Sequence, residues 1–243
     1  MASSTSLRSS FLYHALPFVV TMTTVLLLLI SCSVSAMSTP AAAADGCNLT
    51  AGFVKVDIPE SSFAVQRPYD VLVDQRYRYD AATGVHTFWV YADDKPFNAI
   101  TATNPCTEVR LRGFDYSSGV WQFEGYGYVP LGTSGASVMQ IHNENGGAPA
   151  TTMMLHVYNG TLRYYSGQVV DSCINDRWFR LNVVHDIGAS TVAVYVDGEE
   201  RFSTGVIPSA SHYFKFGVYM QHHDQSKCME SRWRNVAIYT KTY

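Results

Sequence analysis

The feature that most constrains this chain is an alternation of apolar and polar side chains with a period of two residues, which recurs after residue 45. Such runs, rich in Val, Tyr, Phe and Trp, are typical of β-strands with one buried face, and no long amphipathic helix is indicated. Asn159-Gly160 and Asp197-Gly198 each separate two such runs, as two-residue hairpin turns do. Many strands with short turns predict an all-β sandwich or barrel. The predicted strands are His86–Tyr91, Thr107–Arg112, Val120–Tyr128, Ser137–His142, Thr152–Tyr158, Thr161–Tyr165, Trp178–Val184, Thr191–Val196, Tyr213–Met220 and Arg234–Tyr239.

The first 36 residues are predicted to be a signal peptide that is removed from the folded protein. An apolar run at residues 18–30 is followed by Val34 and Ala36, small residues at the positions that signal peptidase reads. The Ala41–Ala44 run offers a second cleavage site. Because the apolar run is shorter than the ~20 residues of a membrane helix, cleavage is favoured over a signal anchor. We therefore expect a secretory protein with no stable membrane span.

The remaining sequence is interpreted as a short N-terminal extension, residues 37–50, followed by one domain, residues 51–243. In the full chain 17 Lys and Arg side chains face 20 Asp and Glu, a net charge of −3 at pH 7. This balance, with no basic cluster, excludes a nucleic-acid binder. An anionic ligand would have to be held by a local set of basic side chains against the overall field.

Four cysteines remain after signal cleavage, and an even number in an oxidising compartment predicts two disulfides, with three pairings open. The cysteines lack the paired spacing of a zinc site, so we expect no metal. Two Asn-x-Thr sequons predict N-glycosylation in the same compartment. The cysteines are Cys47, Cys106, Cys173 and Cys228, and the glycosylation acceptors are Asn48 and Asn159.

Three of the predicted strands carry a polar row opposite an apolar row. Successive side chains on a strand point to opposite faces, so each strand buries one row and presents the other. The rows suit a plain solvated face, but their Arg, Gln, His and Tyr side chains also suit hydrogen bonds to carboxylates and sugar hydroxyls. Three such strands in one curved sheet would form a groove. The polar rows are Glu108, Arg110 and Arg112; Gln140 and His142; and Tyr213, Lys215, Tyr219 and Gln221.

The same three strands resemble short motifs of the alginate-lyase-like superfamily. Residues 106–110 resemble the family's Arg-Ser/Thr-Glu-Leu/Val-Arg strand, and residues 140–142 resemble its Gln-Ile/Val-His strand. Residues 213–221 match its Tyr-Phe-Lys-x-Gly-x-Tyr-x-Gln strand. Each motif alone is weak, but three in order at strand spacing form a specific signal.

Longer stretches are similar to the plant citrate-binding proteins, and this similarity extends over most of the chain after the signal peptide. It implies a concanavalin-like β-jelly-roll sandwich of two antiparallel sheets with a concave polar groove. It also implies a plant secretory protein located in the vacuole, the cell wall or the extracellular space. The stretches are residues 84–91, 114–130 and 229–233.

In the lyases the reaction is β-elimination on a uronic-acid polymer: the substrate carboxylate is neutralised, a base removes the C5 proton, and an acid protonates the leaving oxygen. The resemblance implies that Gln140 and Arg110 hold the carboxylate and that His142 and Tyr219 act as base and acid. His86 is a further candidate, by similarity to glucuronan-degrading enzymes. The remaining predicted ligand-binding residues are Glu108, Arg112, Tyr213, Lys215 and Gln221.

The sequence departs from the lyase pattern at the start of the first motif, where Cys106 stands in place of Arg. A cysteine cannot neutralise a carboxylate, and one conceivable role for it is a disulfide with Cys228. Met220 stands where the lyases usually have Asn, although the alternation sends that side chain to the opposite face. Both differences reduce the expectation of full lyase activity, whereas the intact Gln-Ile-His triplet supports it.

The leading hypothesis is therefore a monomeric binding protein, with no cofactor, whose groove holds an acidic saccharide or a small polycarboxylate such as citrate. The alternative is an active polysaccharide lyase that cleaves a glucuronan- or alginate-like polyuronate. A lectin-like or glycan-hydrolysing sandwich is a third reading. It is disfavoured because a retaining hydrolase needs two carboxylates about 5 Å apart, and no strand offers such a pair.

Overall fold

A computed structural model describes residues 48–144 and 149–241. In this part of the chain the regular structure consists of antiparallel strands and two single-turn 3-10 helices, Glu60–Ser62 and Val73–Gln75. No helix here is long and apolar enough to span a membrane. The predicted signal peptide and Cys47 lie outside the described residues.

Fifteen strands are formed within the described residues, and they include all ten predicted segments except the final residues Arg112 and Tyr165, which lie just beyond their strands. In chain order they are β1 Val54–Val56, β2 Phe63–Gln66, β3 Tyr77–Asp80, β4 Val85–Tyr91, β5 Cys106–Leu111, β6 Val120–Tyr128, β7 Ala136–Asn143, β8 Thr151–Tyr158, β9 Thr161–Tyr164, β10 Val169–Asp171, β11 Trp178–Asp186, β12 Thr191–Val196, β13 Glu199–Gly205, β14 His212–Met220 and β15 Cys228–Lys241.

The strands form two antiparallel sheets, as the jelly-roll prediction requires. The larger sheet has the order β13-β12-β11-β6-β15-β4-β3, with β1 paired to β15. The smaller sheet has the order β10-β9-β8-β7-β14-β5-β2. The three strands that carry the polar rows, β5, β7 and β14, are therefore adjacent. This placement confirms the expectation that their polar rows form one surface.

The hydrophobic core lies between the sheets and is built from the inward rows of the predicted strands. On β14, Phe214, Phe216 and Val218 are fully or almost fully buried. Phe216 lies 5.8 Å from Phe123 of the larger sheet and 5.9 Å from Trp233, between ring centroids. A slip of one residue in β14 would turn these aromatic rings to the groove, so burial fixes which face carries the polar row.

Both predicted hairpin turns are present. Asn159 and Gly160 have φ of 48° and 75°, and Asp197 and Gly198 have φ of 54° and 93°. Positive φ at both central residues is the geometry that matches the twist of the flanking strands. Five further strands were not predicted, and four of them have no more than four residues. They are β1, β2, β3, β10 and β13.

The prediction of two disulfides is wrong for Cys106 and Cys228, which are free thiols. Cys106 faces outward from the smaller sheet, and Cys228 faces outward from the larger sheet. Stacked sheets lie about 10 Å apart, whereas a disulfide needs Cα atoms within about 7 Å, so no bond can form between these two faces. Cys173 is not free, and Cys47 lies outside the described residues.

Gly217 allows β14 to approach β5 closely at the centre of the smaller sheet. Its φ is +142°, and a Cβ there would collide with the carbonyl oxygen of Thr107 and lie 2.6 Å from Cα of Glu108. The Ser231 hydroxyl donates a hydrogen bond of 2.5 Å to the Gly217 carbonyl oxygen from the other sheet. This position therefore has no room for a side chain.

We expect Gly217→Ala to lower the free energy of unfolding by about 2–4 kcal/mol, because the methyl group adds overpacking to backbone strain. Gly84→Ala is the matched control: Gly84 also has positive φ, +67°, but no atom lies within 4 Å of an added Cβ. Its loss should be about 1 kcal/mol. Urea unfolding followed by circular dichroism measures both, and equal losses would contradict the predicted collision.

A buried polar pair between the sheets predicts acid sensitivity. His185, which is 2% exposed, bonds the Tyr116 hydroxyl through Nδ1 at 3.2 Å, and its ring lies 4.6 Å from that of His212. Burial, together with His212, lowers the pKa of His185 to about 3. The native imidazole therefore stays neutral at pH values where the unfolded chain, with a histidine pKa of about 6.5, takes up a proton.

Stability should therefore fall as the pH is lowered from about 6.5 towards 3, with His185 contributing up to about 1.4 kcal/mol per pH unit. In His185→Phe this contribution disappears, so its free energy of unfolding should depend less steeply on pH. Urea titrations of both proteins at several pH values in this window measure the two slopes. Identical slopes would show that His185 is not the proton acceptor.

Candidate groove site

A cavity of about 330 Å³ opens on the outer face of the smaller sheet, above β5, β14 and β7. Most residues of the polar rows line it, joined by residues of neighbouring strands and of the loop between β4 and β5. The lining residues are Gln66, Phe97, Thr101, Thr103, Cys106, Glu108, Gln140, His142, Ala150, Thr151, Met154, Tyr213, Lys215, Tyr219 and Gln221.

The floor of the groove is a buried ion pair. Glu108 is fully buried, and its Oε2 lies 2.6 Å from Nζ of Lys215. Its other oxygen, Oε1, accepts a short hydrogen bond from the side-chain amide of Gln140. Gln140 on β7 is in register with Lys215 on β14, and Glu108 on β5 is in register with Gly217, two residues further along β14.

The ion pair keeps both charges in place. Burial alone would lower the pKa of Lys215, but the neighbouring groups together, chiefly the Glu108 carboxylate, raise it. Lys215 is therefore charged at neutral pH, and Glu108 cancels most of its field. The ammonium has three N–H donors, and Glu108 accepts one of them. Lys215 can thus still donate hydrogen bonds to a ligand.

Cys106 occupies the position at which the lyase motif has its first arginine. The residue is 5% exposed, and burial, with the Glu108 carboxylate as the next contribution, raises the pKa of its thiol to about 12. The thiol is therefore neutral and unreactive at physiological pH. At this position the groove has neither a cation nor a nucleophile.

His142 is half-buried and oriented by its neighbours. Its Nδ1 lies 2.9 Å from the carbonyl oxygen of Asn143, which can only accept, so Nδ1 carries the proton and Nε2 the lone pair. The ring stacks on Tyr213 with centroids 4.9 Å apart. Burial, followed by the charge of Lys215, lowers the pKa of His142. It is therefore a neutral imidazole at pH 7, with a free basic nitrogen.

Tyr219 lies on β14, in register with Cys106 on β5. Burial, with the Glu108 carboxylate as the next contribution, raises the pKa of its phenol. The hydroxyl therefore keeps its proton at neutral pH and can donate it. Gln221, two residues further along, donates from its side-chain amide to the carbonyl oxygens of Tyr219 and Met220, at 3.2 Å each.

Arg110 lies beside the groove, engaged with groups of the protein itself. Its guanidinium donates to Asp115 Oδ2 at 2.7 Å and to Glu144 Oε2 at 2.9 Å. It also stacks over the Tyr213 ring at 3.8 Å. The structure does not place Arg110 among the residues that line the cavity. Two carboxylates balance its charge before any ligand arrives.

Two predicted ligand-binding residues are not brought to the groove. His86 lies between the sheets: its Nδ1 is 2.8 Å from the Tyr77 hydroxyl, and its ring stacks 5.4 Å from Phe63. Burial lowers its pKa to about 4. Arg112 is exposed in the turn after β5 and does not line the cavity. His86 belongs to the inward row of β4, because Phe88 and Val90, which are two and four residues further along, lie on the same face of the strand.

Sequence reasoning missed the walls of the groove. Gln66 comes from the unpredicted strand β2, Thr151 and Met154 come from β8, and Phe97 and Thr101 come from the loop between β4 and β5. The alternation in β2 was a usable signal for Gln66. The loop carries no periodic pattern, so nothing local shows which of its residues face the groove.

Among the described residues, no group of three or more His, Cys, Asp or Glu side chains is placed to hold a metal ion.

Comparisons with known proteins agree with this fold. The family model described as alginate lyase matches residues 56–240. The citrate-binding protein of Hevea brasiliensis is 43% identical over 190 residues, which cover 78% of this chain and 78% of that protein. Two solved structures of polysaccharide lyase family 7 show the same fold at low sequence identity.

The first of these structures is alginate lyase A1-II′, with a TM-score of 0.60 and 16% identity over 74% of this chain and 94% of that one. The second is the marine alginate lyase AlyA1 from Zobellia galactanivorans, with a TM-score of 0.56 and 18% identity over 78% and 94%. Both support the jelly-roll arrangement of the two sheets.

The floor of the groove makes a testable prediction about stability. Lys215→Met leaves the carboxylate of Glu108 buried without its counter-charge, which should cost about 3–5 kcal/mol. The double variant Lys215→Met/Glu108→Gln removes both charges and should recover a large part of that loss. Urea unfolding of the single variants and the double variant forms a double-mutant cycle. Additive losses would contradict the coupling between the two side chains.

Proposed function

The chain belongs to the alginate lyase family, with the Hevea citrate-binding protein as a 43% identical relative, and from this premise we propose that its groove binds an acidic saccharide or a small polycarboxylate without turnover. The observation that carries the proposal is Cys106. Elimination requires neutralisation of the substrate carboxylate, because only then is the adjacent C–H acidic enough to lose its proton. At Cys106 the groove offers a neutral thiol in place of a guanidinium.

The rest of the groove suits binding. The ammonium of Lys215 retains N–H donors, and Glu108 largely compensates its positive charge. A ligand carboxylate can therefore be held in the groove without a strong excess of positive charge. Around it stand tyrosine hydroxyls at Tyr213 and Tyr219 and the amide of Gln221, groups that hydrogen-bond carboxylates and sugar hydroxyls. A cavity of about 330 Å³ is of the size that accepts a small carboxylate or a short stretch of saccharide.

Lyase activity on a polyuronate is the second candidate, and one observation favours it. His142 has its basic Nε2 free in a half-buried site, and Tyr219 retains a protonated phenol in the same cavity. These are the base and the acid that β-elimination requires. What separates the two functions is the neutralisation of the substrate carboxylate.

We also propose that the protein is a monomer of the secretory pathway, located in the vacuole, the cell wall or the extracellular space. The apolar N-terminal run supports this location. Both sequon asparagines, Asn48 and Asn159, have exposed side chains, as glycosylation requires. Asn159 lies at the tip of a hairpin turn, where a glycan can project without disturbing either strand.

For the binding function, calorimetric titration with citrate, malate and oligouronates should detect a ligand. Tyr219→Phe should weaken its binding about tenfold, because the substitution removes one hydrogen bond to a charged group. Tyr79→Phe is the control, since Tyr79 lies on β3 of the other sheet and does not line the cavity. No heat with any of these ligands would overturn the binding proposal.

For catalysis, we expect wild-type protein to produce no rise in ultraviolet absorbance with glucuronan, polymannuronate, polyguluronate or pectate. Cys106→Arg should introduce the missing cation and produce unsaturated uronate, and adding His142→Ala should abolish that gain. Cys106→Ser is the control for a change at this position without a charge, and thermal unfolding checks that each variant is folded. A rise with wild-type protein would establish the lyase function in place of the binding function.

A further inference from the structure

The outer face of the larger sheet carries a second cavity, also of about 330 Å³, on the side of the sandwich away from the groove. It lies over β3, β4 and the first half of β15. We call it the outer pit. The residues that line it are Arg78, Thr87, Trp89, Tyr91, Cys228, Glu230 and Arg232.

The pairing of the strands explains the shape of the pit. Thr87 on β4 pairs with Arg78 on β3 and with Arg232 on β15. A small side chain, 7% exposed, thus lies between two long cationic ones. Neighbouring strands are about 4.8 Å apart, so the two arginine backbones are separated by about 10 Å. The guanidinium groups can therefore flank a single bound group above Thr87.

The same row continues as an aromatic surface. Arg232 also pairs with Tyr128 on β6, and Tyr128 pairs with Trp178 on β11. The Arg232 guanidinium lies 5.0 Å from the centre of the Tyr128 ring. Arg234 lies 4.4 Å from the centre of the Trp178 ring. Stacking holds each guanidinium flat and leaves its edge free to donate two parallel hydrogen bonds to a carboxylate.

The lining of the pit has two arginines and one carboxylate, Glu230, although the chain is acidic overall. Among the described residues, Arg232 is paired with Glu230 at 2.6 Å, whereas no ion pair within 4.0 Å is formed by Arg78 or Arg234. Glu124, another carboxylate of this face, accepts hydrogen bonds from Asn182 and Tyr239. The arginines therefore have unused capacity for an external anion.

We propose that the outer pit and the row beside it form a second binding site, for a chain of acidic sugars such as a polyuronate. A small anion would need only the two arginines above Thr87. The aromatic rings of Trp89, Tyr128 and Trp178 add flat apolar surfaces against which the C–H faces of sugar rings pack, while the guanidinium groups hold the carboxylates. The row crosses five adjacent strands, from β3 to β11, which suits an extended polymer.

The site is independent of the groove. The two surfaces lie on opposite outer faces of the sandwich and share no residue. A protein with both could be held on a polyuronate matrix through one face while the other binds its own ligand. Loss of binding at the outer pit should therefore leave ligand binding in the groove unchanged.

The first test is retention on immobilised polyglucuronate or polygalacturonate. Arg78→Gln/Arg232→Gln should weaken retention at least about tenfold, because charge-assisted hydrogen bonds to carboxylates are lost. Arg163→Gln/Arg201→Gln is the control, since it removes the same charge from β9 and β13. Equal weakening in the control, or equal retention on a neutral glucan, would overturn the proposal.

A second test localises the ligand through Cys228, the free thiol that lines the pit. A bound oligouronate should slow alkylation of Cys228 at least about tenfold when the site is nearly saturated, because it covers the thiol. Mass spectrometry of the peptide that contains Cys228 gives the rate for this thiol alone. In Arg78→Gln/Arg232→Gln the protection should disappear. An unchanged rate for wild-type protein on a polymer that retains it would overturn the assignment.

Discussion

The buried ion pair between Glu108 and Lys215 is the interaction around which the groove is organised. Two opposite charges without water around them require close contact and further hydrogen bonds, and both are supplied by the pairing of β5, β14 and β7. Gly217 makes the close approach of β5 and β14 possible, and Gln140 satisfies the second carboxylate oxygen. The pair also sets the electrostatics of the cavity, because it leaves a lysine charge that is present but largely compensated.

This electrostatic balance gives Cys106 its significance. In a groove whose lysine is already paired, an additional arginine would provide the net positive charge that neutralises a substrate carboxylate. A buried thiol with a pKa of about 12 provides none. Arg110 does not compensate, since Asp115 and Glu144 already balance it. At this position a single side chain thus distinguishes the groove from one that carries the extra cation, although His142 and Tyr219 are still in place.

The sandwich has two outer faces, and they carry different groups for an anion. In the groove the charges are buried and paired, and tyrosine and amide groups supply further hydrogen-bonding groups. On the larger sheet the guanidinium groups are stacked on aromatic rings near the surface, and their edges are accessible. One hydrophobic core supports both, because every strand that turns an apolar row inward must turn its other row to one of the two outer faces.

The local pattern of the sequence determined ten of the fifteen described strands, the two hairpin turns and the inward rows of β5, β7 and β14, because a period of two residues is a property of a single strand. It also identified most of the groove floor, since the three motifs lie on those rows. The tertiary structure alone decided which strands are neighbours. It placed His86 between the sheets, gave Arg110 its carboxylate partners, and put Cys106 and Cys228 on opposite faces. It also assembled the row from Arg78 to Trp178 out of five strands far apart in the chain. Pairing between distant strands depends on how the whole core packs, and no local pattern encodes that.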